Sequence, residues 1–598
     1  MISSRKLILF PKIVIGVFFI AYFLYFALFN RYSLAYQEQI QLFRFDWNYF
    51  TSFLTKPGGL SEYISTFFVQ FYLCPLAAVL IITVAGIATY ALTGCIFRKY
   101  NIFGIFWSSI PVLLLVALES DYTYSFVNTI GLLFALTFTV VYISIRQPYI
   151  RYITGFIGWV FLYLAIGGFS FLATLLCILN ELFFTKNHYR LLVAFGFVLM
   201  AALFPFLAWH YIYFIPIFHA WSSPLLLPRN RTTQYCFIIL FAYFPFLLIV
   251  IKTWLALAKK KQLLYFWTWK TILAGMIIFC AFAWGITKYA YDSENEILFR
   301  MDSNIQNAKW DEVLKLSSMY PSANHLNLFF TNLALYKSGK LGSQMFHYNQ
   351  IDASCLWLDL PGTKFPYYFG FDVFYHLGFI NKAYRWAFDA MVATGYSPRL
   401  LKQLVLISLI KGDNAISEKY LNVLDQTLFY RKWTQRYHDY LHDPKLLLQD
   451  REILEKRHLL INADVIEDTN NPYSVLILLL ENHADNRMAF EYYMASLLLD
   501  KDLTAFVDNI KYLKYYGYKD IPVHFEEALI EYMFNSQKNI VPEGFVIRES
   551  TIQRFKDFLK AYSSFTGNLN LEAQRLYKPY GTTYWYYSYF KNTQVKIR

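Results

Sequence analysis

Charge is the first thing this sequence is short of. Asp, Glu, Lys and Arg make up 16% of its 598 residues, against roughly 25% in an ordinary globular chain. Cysteine is also sparse. Five of the six, Cys74, Cys95, Cys177, Cys236 and Cys280, sit inside apolar runs, where the thiol behaves as a small hydrophobe, and Cys355 stands alone in a polar region. No CxxC and no His/Cys group with zinc spacing occurs, so neither a disulfide framework nor a structural metal is expected. There is no glycine-rich phosphate loop, dinucleotide fingerprint or triad motif, which argues against soluble nucleotide chemistry and implies no cofactor. Acidic residues are nearly missing from the first half. Residues 1–290 hold 20 Lys/Arg and six Asp/Glu, while the remainder holds 34 and 35. A basic excess confined to the greasy half suits membrane topology and not nucleic-acid binding.

Apolar residues are abundant, at 57% hydrophobic and 20% aromatic. A helix needs about 20 apolar residues to cross the hydrocarbon core. Nine candidate spans follow, near 8–29, 72–97, 102–118, 125–145, 153–167, 169–184, 191–209, 235–252 and 270–289. The first continues through Phe26 and Phe29 without a small-residue cleavage site, so it reads as an uncleaved anchor. With the N-terminus inside, 14 basic residues fall on the cytoplasmic side in mostly short loops, and six on the outer side. The alternative for 152–184 is one overlong helix. Two short helices meeting at Gly167-Gly168 keep Lys186 and Arg190 inside, and Lys186 then becomes a partner for Glu181. The expected architecture is all-α: a polytopic bundle over 1–290 in the inner (cytoplasmic) membrane, then an extracytoplasmic helical-repeat domain over 291–598.

The other five acids of the first half fall in outer loops: Glu38, Asp46 and Glu62 in the first, Glu119 and Asp121 in the second. Ionisable groups near a membrane are costly and therefore informative. In the first outer loop, 31–71, the spacing of Leu34, Ile40, Phe43, Trp47, Phe50 and Leu54 predicts an interfacial amphipathic helix over 34–56. Lys56-Pro57-Gly58-Gly59-Leu60 then breaks it, and Ser61 caps a restart.

This loop, with Glu38-Gln39-Ile40-Gln41-Leu42-Phe43 ahead of the Pro57-Gly58-Gly59-Leu60 break, resembles the first outer loop of GT-C multi-pass glycosyltransferases. The resemblance covers roughly residues 1–150 and implies a catalytic carboxylate at the outer face. No adjacent Asp-Asp or Asp-Glu pair is present, which departs from metal-dependent members. The whole chain also resembles an uncharacterised bacterial family that pairs such a membrane half with a helical-repeat tail. Expected roles are Glu38 or Asp46 as general base, and Arg229 and Arg231 as forked donors to a lipid phosphate. Gln41, Glu119, Asp121 and His219 are expected to bind substrate, with His210 in the same late loop. Against this stand blander readings: solvated acids, Arg229 and Arg231 on lipid headgroups, His219 as an interfacial residue, and the Tyr/Trp content as an aromatic belt.

In the second half, Gly378, Ile380, Ala383, Ala387, Ala390 and Pro398 resemble the skeleton of a tetratricopeptide repeat, and Gly412 follows Gly378 by 34 residues. Looser matches lie at Trp310–Pro321, Gly339 and Lys501–Phe506. The aromatic tail Tyr584-Trp585-Tyr586-Tyr587 is expected to be a docking edge against the last repeat or against the membrane, with a carbohydrate platform as the lesser alternative. Two functions stay open: a glycosyltransferase-like protein using a lipid-linked sugar, whose repeats bind acceptor or partner, and a non-enzymatic membrane scaffold that recruits envelope proteins.

Overall fold

The computed structural model describes residues 4–100, 105–228, 230–258, 269–322, 324–358, 365–461, 472–564 and 569–591. Every described element is helical. The chain divides into two compact units, Met1–Glu296 with Asp425–Arg431, and Ile297–Leu424 with Lys432–Arg598.

In the first unit, five described helical runs are long and apolar enough to cross a membrane: Pro75–Lys99, Val127–Ser144, Pro148–Phe184, Arg190–Tyr211 and Arg231–Thr253. A sixth counts if Ile13–Phe29 and Arg31–Gln39, which meet at 68°, form one broken span. Among the described residues there are thus five or six such runs, not the nine expected spans. Phe106–Glu119 is a shorter apolar helix, and Ile277–Ala290 is the apolar end of the 22-residue helix Trp269–Ala290. Pro148–Phe184 is a single run of 37 residues that doubles back on itself. In a straight helix, Trp159 and Thr174 would lie about 22 Å apart at 1.5 Å per residue. Instead the Trp159 indole donates to Thr174 Oγ1 at 2.6 Å, and Arg151 Nε meets Glu181 Oε1 at 3.0 Å. The reversal is at Gly167, whose φ of +56° suits glycine, and where a Cβ would stand 2.1 Å from the Ser223 carbonyl oxygen. Gly168 N donates to that same oxygen at 2.8 Å. Glu181 thus pairs with Arg151 and not with Lys186. Tyr142 and Asn180 also donate to it, which satisfies a carboxylate buried among apolar side chains.

The segment 31–71, expected as the first outer loop, is not one amphipathic helix. It is helical over Arg31–Gln39, extended to Asp46, and helical again over Trp47–Phe53 and Gly59–Val69. The apolar spacing across 34–56 is real, but Phe43 leaves the helical register to pack against Tyr49, Tyr63 and Phe67. The last helix starts after Gly58, at φ +78°, with no side-chain cap. Ser61 sits one turn in and donates back to the Gly58 carbonyl at 2.7 Å.

The second unit is built from helical hairpins. Phe365–Leu377 pairs with Ile380–Thr394 across Gly378, and Pro398–Lys411 is followed by Asn414–Asp425 across Gly412. Both glycines are left-handed, at φ +84° and +82°, and end their helices. Ala383, Ala387 and Ala390 are buried where the paired helices approach. Arg399 is buried with two carboxylates: Nη1 donates to both Asp302 oxygens at 2.7 Å, and Nη2 to Asp372 at 2.6 Å. Burial pushes Asp372 up to about 6 even with Arg399 beside it. The aromatic tail forms helix Tyr584–Phe590. Its Trp585 is buried against Phe555 and Phe558 and donates to the Glu527 carbonyl at 2.7 Å.

Candidate functional site

The turn after helix Ile105–Glu119 carries Ser120, Asp121, Tyr122 and Thr123. Asp121 is held by three donors. Its Oδ1 accepts from Thr123 N at 2.8 Å and Thr123 Oγ1 at 2.7 Å, and its Oδ2 from Thr233 Oγ1 at 2.7 Å. Thr233 belongs to the first turn of helix Arg231–Ala258, so this bond ties two helices together. An ionised carboxylate offers about four acceptor positions, so one on Oδ2 is left for a ligand.

Asp121 lines a cavity of about 910 Å³ within the first unit. The apolar part of the lining, its wall, is formed by Ala281, Phe282, Gly285 and Ile286 of helix Trp269–Ala290 together with Ala117 and Cys236. The polar part of the lining, its rim, carries Ser120, Asn230, Thr232, Asp292 and Asn295. Each rim residue is fixed by local structure. Asp292 accepts from Asn295 N at 3.1 Å at the start of helix Ser293–Gln306. Asn230 accepts from Thr232 N at 3.1 Å. Ser33, also on the lining, donates to Glu296 at 2.7 Å. The Glu296 carboxylate takes Tyr32 N and Ser33 N as well, both at 2.8 Å, and so satisfies the first turn of helix Arg31–Gln39. Among its described lining residues the cavity carries two carboxylates and no Lys, Arg or His. That electrostatic balance favours hydroxyl or cationic groups over an anion.

The expected site residues are distributed over this unit. Among the described residues, Asp121 alone of them lines the cavity. Glu119 lies beneath it, buried, accepting from Tyr22 OH at 3.0 Å and Thr129 Oγ1 at 2.9 Å. It braces the bundle and is not presented to solvent. Glu38 is buried as well and accepts from Tyr430 OH at 2.7 Å, in the 425–431 segment that belongs to this unit. Gln41 donates to the Gln37 carbonyl at 3.2 Å. Asp46 caps helix Trp47–Phe53, accepting from Tyr49 N at 3.0 Å. Glu62 pairs with Lys56 at 2.5 Å. Arg231 opens its helix and is exposed, as is His219 in the short helix Ile217–Ser222. Arg229 lies outside the described residues. Sequence reasoning missed Ser120, Thr233, Asp292 and Asn295. The first two are ordinary hydroxyls in sequence, and the last two follow the final apolar run, where they read as the start of a soluble domain.

The chain belongs to a family of unknown function, DUF6057, which matches residues 5–591. Neither the curated proteins nor the solved structures give a match.

Proposed function

We propose that the first unit is a multi-pass membrane protein that binds the hydroxyl-rich head of a lipid-linked sugar in the Asp121 cavity and transfers a glycosyl group. The observation that carries this reading is the pairing of an apolar wall with a polar rim around a carboxylate fixed by three donors. An acyl or prenyl chain suits the wall, and sugar hydroxyls suit the rim. Asp121, not Glu38 or Asp46, is then the base. It takes the acceptor hydroxyl's proton as that oxygen attacks the anomeric carbon, and the lipid phosphate leaves with the bonding pair. The lining disfavours an anion, so the phosphate lies outside it, and Arg231, next in sequence to the lining residues Asn230 and Thr232, is its cation source. Nine passes, with the N-terminus and the basic loops in the cytoplasm, keep this rim and the second unit at the outer face. The folded-back run Pro148–Phe184 supports counting two legs there.

Envelope glycan profiling in a strain lacking the gene tests the reading. A sugar restored by wild type and by Asp46→Asn, but not by Asp121→Asn, is expected. An unchanged profile in the deletion strain, or full rescue by Asp121→Asn, overturns it.

A second reading has its own support. The hairpins turning at Gly378 and Gly412, 34 residues apart, favour a tetratricopeptide-like array that would serve a membrane-anchored scaffold. It requires that the Asp121→Asn protein keep full function while the array's partners are lost on disrupting the hairpins.

A further inference from the structure

Three metal-ligating side chains converge within the second unit, on elements that the linear spacing does not connect. His458 is the last residue of helix Arg451–His458, and His483 and Asp485 follow helix Pro472–Asn482. One ligand atom from each lies within 4.8 Å of the others. His458 Nε2 is 2.8 Å from Asp485 Oδ2, and the two imidazole centroids are 5.5 Å apart. We propose that His458, His483 and Asp485 bind one divalent transition-metal ion, with zinc the expected occupant and water completing its shell.

The donor set selects the ion class. Two imidazoles and one carboxylate, without a thiolate, suit borderline ions such as zinc, and imidazole disfavours calcium and magnesium. The geometry is close to what one ion requires. Ligand atoms about 2.1 Å from a tetrahedral zinc lie ~3.4 Å from one another. The separations here close to that value by side-chain rotation, because His458 and Asp485 are exposed and His483 is half-buried. The backbone beneath is fixed. His483 N donates to the Leu479 carbonyl and Asn486 N to the His483 carbonyl. Asn486 is buried and donates to the Leu377 carbonyl at 2.7 Å, and Tyr516 OH donates to the Ala484 carbonyl at 2.7 Å. On the other arm, Arg457 donates to the Leu409 and Ile410 carbonyls.

The ring orientation of His483 supplies a further argument. Its Nε2 lies 3.2 Å from the Leu460 carbonyl oxygen, which can only accept. For this contact to be a hydrogen bond Nε2 must donate, which leaves Nδ1 as the nitrogen able to bind a metal. A metal-bound histidine characteristically donates its second nitrogen to a carbonyl or carboxylate in this way. A bound ion would tie together two helix ends that stand 27 residues apart along the chain.

The test is zinc titration of the full-length, chelator-stripped protein in detergent against a chromophoric competitor. One equivalent is expected, with affinity falling on the order of tenfold or more in both His458→Gln and Asp485→Asn, since even the groups that merely orient ligands change affinity by that much. Both side chains are exposed, and unchanged helicity and melting of the metal-free variants are expected. A second cluster in this unit, His325, Asp352 and Cys355, provides the control. Cys355→Ser should leave the titration unaltered, and the cobalt-loaded protein should show no thiolate-to-cobalt charge-transfer band. Absence of zinc binding at micromolar concentration, binding unchanged in His458→Gln and Asp485→Asn, or binding lost in Cys355→Ser would each overturn the proposal.

Discussion

Glu531 is the clearest place where burial works against the folded state. It lies on helix Val523–Ser536 and is 4% exposed. Its Oε1 accepts from Ser588 Oγ at 2.7 Å, while Oε2 has no hydrogen-bond partner. Burial pushes its carboxyl from 4.5 up to about 7, with Ser588 and Lys501 opposing the shift and Glu527 adding to it. A carboxyl whose folded pKa lies above its unfolded value favours folding only while protonated. No stability is lost below pH ~4.5; the loss grows at about 1.4 kcal/mol per pH unit, then levels off above pH ~7 at about 3 kcal/mol. Glu531→Gln keeps an acceptor for Ser588 and removes the charge. Relative to wild type, the variant should therefore gain about 3 kcal/mol between pH 4.5 and pH 8, on top of a pH-independent cost of its unpartnered amide N–H groups. Hydrogen exchange of helix Val523–Ser536 in the full-length protein reads this locally and avoids assuming two-state melting of a two-unit chain. A difference between variant and wild type that does not change from pH 4.5 to 8, or that moves against Gln as the pH rises, refutes the argument.

Arg399→Met leaves Asp302 and Asp372 facing each other in a dry site, and should cost about 3–5 kcal/mol, read as earlier urea unfolding of the second unit. Combining Arg399→Met with Asp302→Asn and Asp372→Asn should recover much of that loss, because no buried charge is then unmatched. Gly167→Ala places a Cβ against the Ser223 carbonyl and forces a left-handed backbone on alanine, so detergent-solubilised protein should lose several degrees of melting temperature. Trp159→Phe removes the indole donor to Thr174 but keeps the aromatic bulk, and should cost about 1 kcal/mol, visible as a small melting shift with unchanged helicity.

The sequence carried the all-helical class and the membrane character because both follow from composition and run length, which no tertiary contact can reverse. The turn at Gly167-Gly168 was legible for the same reason: a helix through it would exceed any bilayer. What failed were statements that needed partners. Glu181 chose Arg151, 30 residues away, over Lys186, because the hairpin closes with its two ends adjacent. Phe43 satisfied a helical periodicity yet left the helix, since an extended segment lets it meet Tyr63 and Phe67. Glu38, Asp46 and Glu119 were legible as unusual acids, but an acid's rarity says nothing of whether it faces a cavity, a hydroxyl or a helix end. The zinc-ligand trio was invisible in one dimension, its members 25 and 27 residues apart around intervening helices.

A charge in the greasy half needs a reason, and four of its six acids now have one that is structural. Glu119 and Glu181 are consumed by buried donors, Asp46 by a helix end, and Glu62 by Lys56. Glu38 meets Tyr430 inside the same unit. Asp121 differs in kind. Two helices and a turn fix its orientation, as structural acids are fixed, but the carboxylate also borders open volume with an acceptor position to spare. Pre-orientation combined with access is what a base or a sugar ligand needs, and what a purely structural acid does not. If Asp121→Asn left both glycan profile and stability untouched, this distinction between structural and functional acids would fail along with the proposal built on it.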